Sequence, residues 1–137
     1  MPRAHPPYDE YEEARRRASA DWLDAASVAV RLGMVPGDVT ALRKTGELLA
    51  VWLPSDQRFL YPTWQFDDRG NPIPEVAALL ALLRSPNGTG IGVPSTGWGE
   101  VEWFISHHAL LDGLSPAQVL VSDPARVLAI AQEEFAA

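Results

Sequence analysis

The sequence predicts a mainly α protein, a small winged helix-turn-helix with one β hairpin followed by an α-helical domain. Three observations predict it. Two short helical patterns meet at a glycine turn, two brief β-branched or aromatic runs follow at once, and the rest shows helix-spaced apolar faces. The chain has 137 residues, which suits one compact domain or two very small ones sharing a core. Five tryptophans can supply large buried areas at that length.

In chain order, residues 1–19 are polar, with "HPP" near the start and "RRR" at Arg15–Arg17, and read as a flexible terminus. The winged helix-turn-helix is expected over 20–66. Asp24 can cap a helix whose apolar face is Ala25, Val28, Ala29 and Leu32, and Gly33 stands where a left-handed terminating residue is wanted. Pro36 suits the first turn of a second helix, which buries Val39 and Leu42 and stops at Gly46. "LLAVWL" and "RFLYP" then form a hairpin across "PSDQ", a wing directly after the helix pair.

A helical domain is expected over 72–137. Asp68 to Asn71 makes a turn, Pro74 opens a helix, and Val76, Leu79, Leu80 and Leu83 give it one apolar face. Trp64 and Phe66 read as core residues that lock the hairpin onto this helix. "SPNGTGIGVPSTG" is a linker: its G-x-G lacks the Lys-Ser/Thr ending of a phosphate loop and no strand precedes it. Glu100 to Ile105 forms a helix, Ser115 with Gln118 a capping box, and Asp123-Pro124 the start of a last helix carrying Val127, Ile130, Ala131 and Phe135.

Charge divides unevenly. Residues 1–66 hold eight Lys/Arg against nine Asp/Glu and residues 67–137 three against nine, so nearly all of the net charge of −7 lies in the rear half. A domain that grips DNA alone usually has a basic face. The front half can hold one; the rear half looks made for something else. There are no cysteines, no apolar run of roughly 20 residues and no opening signal segment, so a cytoplasmic protein without disulfides or membrane is expected.

The stretch "LGMVPGDVTALRKTGELLAV" (32–51) resembles the winged-helix pattern of excisionase and MerR-type regulators, in which an LG turn precedes a recognition helix that ends in a G-x-L step. The resemblance implies that Gly37, Asp38, Thr40, Ala41 and Lys44 line the groove-facing side. Thr40, Arg43, Lys44 and Arg58 are the candidate DNA contacts. Asp38 has the wrong sign for a phosphate, and Ala41 offers a base edge a methyl group.

No catalytic or metal constellation is found. His107 and His108 are adjacent, so on a helix they point about 100° apart and cannot chelate one ion together. Ser106, His107 and Asp112 fail as a triad because neighbouring side chains do not face each other, and no glycine elbow frames Ser106. The pairs Glu100/Glu102 and Glu133/Glu134 define no acid and base. Neither an enzyme nor a cofactor is expected.

Trp103, Leu111, Gly113, Pro116, Leu120, Asp123, Val127 and Leu128 follow one another at intervals that resemble the C-terminal domain of Xre/MbcA/ParS antitoxins, over about residues 98–135. Those proteins commonly have a proline-asparagine turn where this chain has "SHH", and many carry a Cro-like rather than a winged N-terminal domain. The resemblance implies an antitoxin that blocks a RES-domain, NAD-consuming toxin, its C-terminal region covering the toxin's NAD cleft. Trp103, His107, His108, Leu111, Asp112, Glu133, Glu134 and Phe135 are then the candidate toxin contacts, the last three as an acidic-aromatic plug. The expected partners are a RES-domain toxin and operator DNA, in a homodimer or hetero-oligomer. The alternative is a winged-helix transcription regulator whose helical domain serves dimerisation.

Overall fold

The computed structural model describes residues 8–85 and 96–135. Among them the order is α1 (Tyr8–Ala18), α2 (Ala25–Leu32), α3 (Pro36–Lys44), β1 (Val51–Leu53), β2 (Arg58–Leu60), α4 (Glu75–Leu83), α5 (Trp98–Ile105), α6 (Pro116–Leu120) and α7 (Pro124–Phe135). Single 3-10 turns lie at Thr63–Gln65 and Ala109–Leu111. The fold is mainly α with a winged helix-turn-helix in its first half, as the patterns predict.

Local chemistry sets the helix pair. The Asp24 carboxylate accepts the Ser27 backbone N–H at 2.8 Å, satisfying an orphan donor of α2, and Gly33 ends the helix at φ 68°. Pro36 opens α3, and the chain bends by 102° between α2 and α3, within the roughly 90–120° of helix-turn-helix pairs. Val28, Ala29 and Val39 bury the inner faces against Leu48, Ala50, Tyr61 and Phe66.

The hairpin pairs Val51 with Leu60, Trp52 with Phe59 and Leu53 with Arg58. The two-residue period turns Val51, Leu53 and Leu60 inward, while Trp52 and Phe59 meet on the opposite face at 5.0 Å. Buried Gln65 holds the strand entry, accepting the Leu49 N–H at 2.8 Å and donating to the Leu49 carbonyl at 2.7 Å. Trp64 is half-buried, packed on Phe104 at 4.8 Å, and Phe66 is buried in the helix-turn-helix cluster.

One expectation needs correction. Residues 8–18 of the supposed flexible terminus form α1, which lies against β1. The Arg15 guanidinium sits 5.1 Å from the Trp98 ring centroid, and buried Ser19 donates to the Arg15 carbonyl at 2.8 Å. Residues 1–7 lie outside the described residues. Residues 20–66 and 72–137 share a core through the wing, while α2 and α3 also keep a buried cluster of their own. One apolar cluster runs from Leu49, Val51, Leu53 and Leu60 through the α4 face to Val101, Phe104, Leu120, Val127 and Phe135.

The chain's return to the hairpin explains the merger. Most of the expected linker, 86–95, lies outside the described residues. At its end the Trp52 N–H donates to the Thr96 carbonyl at 2.8 Å, and the Trp98 indole N–H to the Trp52 carbonyl at 2.9 Å. Between them Gly97 has φ 90°, and a Cβ there would stand 1.9 Å from the Ala50 carbonyl oxygen. That contact requires glycine. α5 therefore starts at Trp98, two residues before the expected Glu100, and the capping box of α6 has both bonds, Gln118 N–H to Ser115 Oγ at 3.2 Å and Ser115 N–H to Gln118 Oε1 at 2.8 Å. Among the described residues no single helix is long and apolar enough to cross a membrane.

Candidate nucleic-acid interface

α3 turns Val39 inward and leaves Gly37, Asp38, Ala41 and Lys44 exposed, with Thr40 half-buried. This is the outward set that the winged-helix resemblance implies. Nine residues make a rod about 13.5 Å long at ~1.5 Å per residue, and the ~10–12 Å diameter of an α-helix suits the ~12 Å width of a DNA major groove.

The cations around this rod are not all available. Arg43 lies over the Phe59 ring at 3.8 Å and beside the Tyr61 hydroxyl; it is half-buried, and its Nε has no hydrogen-bond partner among the described residues. It ties α3 to β2, which leaves it less available to a phosphate than exposed Lys44. Burial raises the Tyr61 hydroxyl's pKa above its ordinary 10.0, with the Arg43 charge opposing. Arg58 reaches Asp24 at 3.4 Å and Asp56 at 3.6 Å, so its charge is largely compensated within the protein. The Asp24 carboxyl is held below its ordinary value of 3.8, chiefly by the Ser27 backbone N–H and then by the Ser27 side chain, with Arg58 adding a smaller pull.

Lys44, Arg31 and Arg69 are exposed and without an ion pair among the described residues. Arg31, in the last turn of α2, lies alongside the turn that carries Arg69: its Cδ and Nη1 are 4.0 Å from where a Gly70 Cβ would be. In that turn the Asp67 carboxylate accepts the N–H groups of Arg69 at 2.9 Å and Asn71 at 3.0 Å. Free cations therefore stand both before the turn that leads into α3 and at its C-terminal end. Neither Arg31 nor Arg69 is among the expected contacts; the one sequence sign of Arg31 is a lone basic residue in the last turn of α2, beside the turn into α3.

The chain is similar in fold to Rv2175c. An NMR structure of that protein matches with a TM-score of 0.67 at 21% identity, over 83% of this chain and 80% of that one. At this identity the likeness speaks for the fold alone. No protein-family model and no curated protein matches the chain.

The residues proposed for toxin contact spread over very different environments. Leu111 is fully buried, and Trp103 nearly so, stacked edge-on with Phe104 at 5.2 Å. Both belong to the core rather than to a surface, which corrects their assignment as contacts. The Trp103 indole N–H donates to Glu134 at 3.0 Å and its ring meets Phe135 at 5.9 Å, so the acidic-aromatic end is fastened to α5. Glu133 is exposed. Ala136 and Ala137 lie outside the described residues.

His107 is exposed, whereas His108 is half-buried against Trp103 at 5.3 Å, with its Nε2 unpartnered among the described residues. The His108 backbone N–H donates to the Leu114 carbonyl at 3.0 Å, closing the loop that exposes Leu110 and Leu114. Asp112, 83% exposed, meets Arg126 at 3.4 Å. Among the described residues no group of three or more His, Asp or Glu side chains could hold a metal ion.

Proposed function

We propose that this chain binds duplex DNA as a winged helix-turn-helix, with α3 in the major groove. The observation that carries the reading is α3 itself: a short helix, exposed along one side, with uncompensated cations near both ends and a wing beside it. Arg31, Arg69 and Lys44 would meet phosphates, which position the protein. Asp38, Thr40 and Ala41 would meet base edges. A carboxylate accepts from the cytosine amino group and a methyl packs on the thymine methyl, so Asp38 repels backbone while selecting bases. Such a role belongs in the cytoplasm, with the chromosome.

Three phosphate contacts give only modest affinity to a monomer, with a salt slope of about −0.9 per contact. Two copies on adjacent half-sites would square the selectivity, the usual arrangement for helix-turn-helix proteins. The test is fluorescence anisotropy on duplexes selected from a randomised pool, over a series of salt concentrations. Wild type should bind with a slope near −3 per monomer, and Arg31→Ala with Lys44→Ala should flatten it by about two units. Equal binding by that double variant would sink the reading.

A second reading draws on exposed Leu110, at 62%, and Leu114 beside His107 and Asp112, in the stretch that resembles toxin-neutralising domains. It would use this loop rather than the tail, because Phe135 and Glu134 are occupied with Trp103. Co-expression with a RES-domain toxin, scoring growth and cellular NAD, separates the two. Leu110→Asp should abolish protection under the second reading and leave DNA binding unchanged under the first.

A further inference from the structure

At the C-terminal end of α3 a cleft of about 180 Å³ opens between Lys44, Thr45 and Gly46 and one side of α4, formed by Ala77, Ala81 and Arg84. It is far larger than the ~10–15 Å³ that a single water needs. α4 contributes at i, i+4 and i+7, so one helix face lines it. Arg84 is fixed from behind: its Nε–H donates to the Glu100 carboxylate at 2.8 Å, and Glu100 is 1% exposed. That single bond uses the rear nitrogen and leaves the two terminal nitrogens with no hydrogen bond among the described residues. Nη1 lies 3.5 Å from where a Gly46 Cβ would be, so a side chain at 46 would crowd the mouth. Lys44 faces the same space and has no ion pair among the described residues.

We propose that this cleft is a phosphate clamp, with the Arg84 fork and the Lys44 ammonium closing on one backbone phosphate beside the groove that α3 enters. It rests on the DNA-binding reading and extends the contact surface beyond the helix-turn-helix into α4. A pre-oriented guanidinium suits paired bonds to phosphate oxygens, and the lysine adds a mobile charge. Two carboxylates are near. Glu100 is buried and serves as the anchor; Glu47 accepts from the Thr45 hydroxyl at 2.8 Å and does not line the cleft.

The test avoids the buried pair. Ala81→Glu places a carboxylate in the mouth from an exposed helical position, and Ala78→Glu places the same charge on exposed α4 outside the cleft. On duplex DNA, Ala81→Glu should weaken binding about tenfold or more, since like charges face each other, while Ala78→Glu has a much smaller effect. Lys44→Ala should flatten the salt slope by about 0.9. If Ala81→Glu binds no worse than Ala78→Glu while wild type binds DNA, the clamp is wrong and the broader reading stands. If wild type binds no duplex, inorganic phosphate is titrated into the nitrogen-15-labelled protein. Shifts at the Gly46 amide and Arg84 Nε–H that vanish in Ala81→Glu would uphold the clamp without DNA, and their absence would overturn it. Circular dichroism of each variant checks that the fold is intact.

Discussion

Arg43 shows how a side chain's surroundings decide its use. It looks like a phosphate contact in sequence, yet its guanidinium lies on Phe59 and joins α3 to the wing, an interaction of about 0.5–2 kcal/mol. Arg43→Ala should therefore lower the melting temperature while changing the salt slope of DNA binding by much less than Lys44→Ala. Asp24 offers the converse case. Asparagine caps a helix about as well as aspartate, so Asp24→Asn should leave stability near neutral pH almost unchanged while freeing Arg58 from one of its two carboxylates and modestly tightening DNA binding at low salt. The carboxyl's depressed pKa gives the sign in acid. The ionised carboxylate accepts the Ser27 bonds better than its protonated form, so the cap stabilises the fold fully above the unfolded pKa near 3.8 and the benefit is lost as pH falls through the lower folded value. The asparagine variant should lack that acid-range slope, as a series of melts down the pH scale would show. Gly97→Ala should be the most damaging small change. Its backbone conformation alone costs a side chain about 1–2 kcal/mol, and the Cβ also meets the Ala50 carbonyl.

At the scale of elements, the C-terminal end is the informative case. Phe135 is buried on Trp103, whose indole N–H is held by Glu134, so α7 closes the core rather than trailing from it. Phe135→Ala should cost about 3–5 kcal/mol, the range for a buried aromatic, read in urea melts. A tail that served as a free plug would lose almost nothing. The helix caps, the two apolar faces of α4 and α7, and the capping box of α6 were all legible, because each is a local pattern written in consecutive residues. α1 was not: its ionic residues look solvated, and the tryptophan that Arg15 covers lies 83 residues downstream. The same limit hid Arg84. Nothing near it in sequence announces Glu100, which holds it, or Lys44, which faces it across the cleft.

For the whole molecule, the chief consequence is that wing and helical half share one core. Leu49, Val51, Leu53 and Leu60 pack in the same cluster as the α4 and α7 faces, and Trp22 stacks on Trp98 at 6.0 Å across that junction. Unfolding should be a single cooperative step, with tryptophan fluorescence and far-ultraviolet circular dichroism coinciding. Separate transitions would mean two independent domains. The end of the wing and the turn before α4 were legible as local patterns, but which side chains cross that turn into the shared core was not. The same coupling would let contacts made by α3 be steadied from the helical half through Arg84 and Glu100. The central claim is that the outward side of α3 and its flanking cations form the DNA-binding face. Its most direct test is to titrate nitrogen-15-labelled protein with a selected duplex and map the amide shifts. The account predicts shifts concentrated at Gly37 to Gly46, Arg31, Arg69 and the wing tip at Ser55 to Arg58, with α7 silent. Shifts confined to His107–Leu114, or none with duplex in excess, would contradict it.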